Sequence, residues 1–109
     1  MEYIITKTIT DEQLDDMLCS ALEGGINYWA RSVKVKGNDF RGAEWAHEVV
    51  TRGGSLIVTD DDDGKEYTLT LKKVLKGLSL KESLDLDNYD AGDADDVIQL
   101  ALFGKLIYG

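Results

Sequence analysis

The sequence predicts an α+β domain, a small antiparallel sheet packed with three or so helices. Three observations carry this reading. Thr10-Asp11-Glu12-Gln13 forms a capping box ahead of an apolar stripe at Leu14, Met17, Leu18, Ala21 and Leu22. Asp63-Gly64 marks a hairpin between Leu56-Ile57-Val58 and Tyr67-Thr68-Leu69. Val97, Ile98, Leu100, Ala101, Leu102 and Phe103 make a helix that is apolar almost all round and therefore buried.

The elements follow in order. Tyr3, Ile4, Ile5 and Ile9 predict a first strand over 2–9. The first helix spans 11–23, with Asp11 and Glu12 favourable at its positive end and Gly24-Gly25 supplying a left-handed stop. Ile26 to Trp29 reads as a short extended piece. Val33 and Val35 alternate with Lys34 and Lys36, which predicts a half-buried strand over 32–37, and Gly37-Asn38-Asp39 is a turn. Trp45, Ala46, Val49 and Val50 fit two helical turns stopped by Gly53-Gly54. Strands over 55–60 and 65–70 flank a solvated aspartate tip. Leu71, Val74, Leu75 and Leu78 predict a helix over 71–78 that Gly77 weakens or ends, and Leu80, Leu84 and Leu86 extend its packing. Asp93 is read as the cap of the last helix, over 93–103, with Asp95 and Asp96 in its first turn; Leu106-Ile107-Tyr108 is read as a terminal strand.

A chain of 109 residues is one domain, 1–109, able to bury roughly 60–70% of its unfolded surface. Proline is absent, which removes proline-rich linkers, and no internal repeat is visible. No apolar run reaches the length of a membrane span, and the N-terminus has no signal-peptide build, so a cytoplasmic protein is expected. Cys19 is alone and reads as a buried free thiol.

Charge is the strong compositional signal. Twenty-one acidic residues against twelve basic give a net charge of −9, which argues against nucleic-acid and anionic-membrane binding. It leaves a soluble acidic surface, an acidic mimic that docks on a basic partner, or a small-ligand binder with its few cations gathered in one pocket.

Catalytic and metal chemistry find little footing. His47 is the only histidine and reads as a surface or hydrogen-bonded side chain. No Walker A loop, GxGxxG or GxSxG is present. Asp85, Asp87 and Asp90 fail the EF-hand spacing, and Asp60 to Asp63 lacks a closing bidentate glutamate. No metal, no cofactor and no enzyme activity are expected.

The cations carry more. Arg31, Arg41 and Arg52 interleave with Tyr28, Trp29, Phe40 and Trp45. Arginine forks hold phosphate oxygens and aromatic faces stack on bases, which is the equipment for a phosphate-bearing nucleotide. These seven residues are the candidate ligand site. The competing reading puts Trp29 and Trp45 in the core or a subunit contact and pairs the arginines with surface acids.

ITDEQLDDMLCSALEGGINYW at the front and DADDVIQLALFGKLIYG at the back resemble a family of small proteins encoded by phages and prophages of Gram-positive bacteria. RGGSLIVTDDDDGKEYTLTL in the middle resembles it more loosely. The family is identified as the first-described family of Thoeris anti-defence proteins. That resemblance implies a small α+β protein that sequesters cyclic ADP-ribose signals made by bacterial TIR-domain enzymes without cleaving them. It also implies dimers or higher homo-oligomers with ligand pockets at subunit boundaries. The alternative function is an acidic inhibitor that occupies the basic, nucleic-acid-binding surface of a host defence protein.

Overall fold

In the computed structural model, residues 8–81 and 84–109 are described. Most of the expected first strand falls outside them, and Thr8 and Ile9 carry no strand.

Helix α1 (Asp11–Ser20) begins at Thr10, whose hydroxyl accepts from the Gln13 N–H at 3.1 Å while the Gln13 side chain accepts from the Thr10 N–H at 3.0 Å. Such a cap is worth about 1 kcal/mol. Leu14, Met17 and Leu18 are buried beneath it. The helix does not stop on a left-handed glycine. It widens into a π turn over Ala21–Gly25, and neither Gly24 nor Gly25 has a positive φ. Gly25 is required for clearance instead: a Cβ there would press on the carbonyl oxygen of Ala91. Ile26 to Trp29 is a turn rather than an extended piece.

Strands β1 (Ala30–Val35), β2 (Leu56–Asp60) and β3 (Glu66–Leu69) form an antiparallel sheet in that order. A bulge in β1 lies between Ala30, opposite Asp60, and Ser32, opposite Thr59, and leaves Arg31 unpaired and exposed. The β2–β3 turn closes through the Gly64 N–H to the Asp60 carbonyl at 2.9 Å, with Gly64 at φ 71. The tip is solvated as expected, except that Asp60 itself is buried.

Helix α2 is short (Ala46–Thr51) and packs Val49 and Val50 on the sheet and α1. Helix α3 (Leu71–Leu80) is capped by the Thr70 hydroxyl. Gly77 neither ends nor loosens it. A Cβ at Gly77 would collide with the Val97 carbonyl and Ala101 of the last helix, so the glycine lets the two helices approach.

Helix α4 (Ala91–Phe103) packs against α3, the π turn, α1 and β3. Its cap is Asp90, not Asp93, and Asp93 closes the box by accepting from the Asp90 N–H at 3.2 Å. The helix therefore starts earlier than the spacing predicts, and Asp95 is turned into the core. Leu106-Ile107-Tyr108 is not a strand. Leu106 and Ile107 are exposed, while the backbone of Ile107 and Tyr108 is tied to α4. Among the described residues, no helix is long and apolar enough to cross a membrane.

Candidate functional site

The candidate residues separate into two places at opposite ends of β1. At its far end, Arg41 and Arg52 come together from two Arg-Gly dipeptides. The Arg41 guanidinium donates to the Arg52 carbonyl at 3.4 Å, and the Arg52 guanidinium donates to the Arg41 carbonyl at 3.1 Å. Each is followed by a glycine in the left-handed region, Gly42 at φ 75 and Gly53 at φ 86. A Cβ at Gly42 would lie 3.3 Å from the Arg52 guanidinium, a tight approach that a small shift of that side chain relieves; the positive φ is what favours glycine there. Arg41 itself sits at φ 52, a conformation that costs an L-residue roughly 1–2 kcal/mol.

The pair is only partly neutralised. Arg41 lies 3.7 Å from Asp39 and Arg52 3.4 Å from Glu48. Both guanidiniums are about half exposed, so these contacts are worth little. Phe40 and Trp45, on the same loop as Arg41, are exposed at 43% and 54%. Thus Arg41, Arg52, Phe40 and Trp45 are all exposed on the segment 39–53, and within it the two arginines are in contact.

Arg31, Tyr28 and Trp29 lie at the near end of β1. The Arg31 Nε meets Asp61 at 3.2 Å, as the competing reading of the arginines expects. Trp29 is a core residue at 3% exposure. Its ring stacks on Tyr108 with centroids 5.4 Å apart, and its Nε1 donates to Asp95 at 2.7 Å. The Tyr28 hydroxyl also donates to Asp95, at 2.6 Å. Burial first, then that bond, pushes the Tyr28 hydroxyl up to about 12.

A polar network missed by sequence reasoning joins this end to α4. Gln99 is fully buried and donates its Nε2 to Asp95 at 3.0 Å. Its Oε1 accepts from the N–H groups of Ile107 and Tyr108, each at 2.9 Å. The Tyr108 hydroxyl donates to buried Asp60 at 2.6 Å; that bond first, then burial, raises its ionisation well above the ordinary tyrosine range. Buried carboxylates without a cation survive only when donors match their lone pairs, and here tyrosine, tryptophan and glutamine supply them. The one visible signal was a polar residue, Gln99, inside an otherwise apolar helical run.

His47 is partly buried on α2, with Nδ1 3.7 Å from Asp15 and, among the described residues, without a hydrogen-bond partner. Cys19 is half-buried rather than buried, and burial together with a bond to Glu23 raises its thiol above the ordinary range. Among the described residues, no group of three or more His, Cys, Asp or Glu is arranged to hold a metal ion. Neither protein-family models nor curated proteins nor solved structures give a match to this chain.

Proposed function

We propose that the protein is a non-catalytic anti-defence protein that sequesters a cyclic ADP-ribose-type signal, with Arg41 and Arg52 as its phosphate clamp. The observation that carries this reading is the reciprocal lock of the two arginines, with Arg41 held at a strained positive φ. Strain of this kind concentrates where a side chain must be held for a ligand. The crossed guanidiniums are pre-ordered, so less side-chain entropy is lost when phosphate arrives. Phe40 and Trp45 supply aromatic faces for the base.

With a net charge of −9, long-range attraction does not help an anionic ligand, and recognition depends on short-range enclosure. The Arg41–Arg52 surface is open in a single chain. A second copy of the chain closing over it supplies that enclosure, which is why the binding unit is proposed as a homodimer or higher homo-oligomer.

The test is calorimetric titration with cyclic ADP-ribose isomers, followed by denaturation and analysis of the released ligand. Intact release marks sequestration, and an altered product marks an enzyme. Arg52→Ala and Arg41→Gly each lower affinity roughly ten- to a hundred-fold, the loss of a charge-assisted contact. Arg31→Ala, at the other end of β1, leaves affinity unchanged. No binding of any isomer by the folded protein rejects the reading.

A further inference from the structure

The near end of β1 carries the opposite chemistry. An open cleft of about 420 Å³ is lined by Tyr28, Trp29, Asp61, Asp62 and Tyr108. Three aromatic residues and two exposed carboxylates thus share one concavity. Its aromatic members are fixed in place: the Tyr28 and Tyr108 hydroxyls are committed to Asp95 and Asp60, and Trp29 is bonded to Asp95 and stacked on Tyr108.

The two rim acids differ. Asp61 is already met by a guanidinium, Arg31, through its side chain and its carbonyl, each at 3.2 Å. Among the described residues, the Asp62 carboxylate has no hydrogen-bond or ion-pair partner; only its backbone N–H is engaged, donating to Asp60 at 2.8 Å. The rim therefore accepts a guanidinium at one carboxylate and leaves a second one open beside aromatic rings.

We propose that this cleft receives an arginine side chain of a basic protein partner. A carboxylate beside aromatic rings suits a planar, weakly hydrated cation that can stack and donate in pairs, which favours arginine over lysine. Free arginine is disfavoured because its own carboxylate would face Asp61 and Asp62; within a polypeptide that charge is gone. The excess of acidic residues steers a basic protein surface toward the chain. This site is independent of the Arg41–Arg52 surface, and either can fail without the other.

The experiment is two-dimensional NMR of the isotope-labelled protein at low salt, titrated with a capped Gly-Arg-Gly-Arg-Gly peptide. Saturable shifts are expected at the Trp29 indole N–H and at the amides of Tyr28, Asp62 and Tyr108. The same peptide with citrulline for arginine binds at least about tenfold more weakly, because the charge is removed and the shape kept. The lysine peptide and free arginine also bind more weakly. Asp62→Asn weakens the arginine peptide about fivefold or more, whereas Glu44→Gln, the same charge change at an exposed residue on the far loop, changes it by less than about twofold. Equal effects of the two substitutions, shifts spread over the whole acidic surface, or equal binding of free arginine, lysine or citrulline overturns the proposal.

Discussion

Gln99 grips Tyr108 from both sides of its backbone: Oε1 accepts from the Tyr108 N–H at 2.9 Å, and Nε2 donates to the Tyr108 carbonyl at 3.3 Å. A single buried amide thus docks residues 107–108 onto α4 and at the same time completes the donors around Asp95. Gln99→Leu fills the same space but orphans two backbone N–H groups and removes a donor from a buried carboxylate. It is expected to destabilise the protein by about 2–4 kcal/mol, read from the urea midpoint at unchanged m-value.

The tyrosine–carboxylate bonds give a signed pH dependence. Tyr28 rises from 10.0 to about 12, and Tyr108 is raised as well. The folded state therefore holds these protons more tightly than the unfolded chain. The resulting stability is present in full below about pH 10 and is lost as pH climbs through the folded-state values. The tyrosine contribution to the urea midpoint is expected to be constant up to that point and then to fall, while the raised Cys19 thiol adds a loss that begins above about pH 9. Tyr108→Phe, which deletes the bond to Asp60, is less stable at neutral pH and falls less steeply.

Two glycines make a matched pair. Gly77→Ala drives a methyl group into the α4 backbone and is expected to cost about 1–3 kcal/mol. Gly24 has nothing within 4 Å of an added Cβ and no positive φ. Gly24→Ala is expected to be neutral, or stabilising by about 0.5–1 kcal/mol through the unfolded state. Thermal unfolding of both variants checks the contrast.

For the proposed phosphate clamp, Arg41→Gly separates ligand binding from folding. Glycine adopts φ 52 without steric cost, so removing this guanidinium relieves local strain. Its unfolding midpoint is expected to match or exceed that of the parent protein while phosphate-ligand affinity drops. A lower midpoint would mean that the interlock with Arg52 contributes more than the strain costs.

Local signals were legible in the sequence, and contacts between distant elements were not. The Thr10–Gln13 box and the Asp63-Gly64 turn are set within a few residues, and both occur at the expected positions. The start of α4 was ambiguous because Asp90 and Asp93 can each cap a helix; in the fold Asp90 caps it and Asp93 closes the box. Gly25 and Gly77 read as helix stops because a glycine needed for clearance against α4 looks the same in one dimension. Of the candidate site, the charge and aromatic chemistry were legible. The grouping was not, since the length of β1 puts Arg31 at one end and Arg41 with Arg52 at the other.

The placement of the two tryptophans gives the molecule a pair of built-in optical reporters. Trp29 is enclosed, stacked and hydrogen-bonded, so its emission is blue-shifted, shielded from acrylamide and sensitive to unfolding. Trp45 is exposed on the same segment as the two arginines, so its emission is expected to be red-shifted, readily quenched and sensitive to whatever settles on that segment. In Trp45→Phe, fluorescence follows Trp29, which reports on the core and on the cleft at the near end of β1. The signal lost relative to the parent protein then belongs to the 39–53 segment, and unfolding and any binding at that segment can be followed at separate wavelengths without attaching a dye.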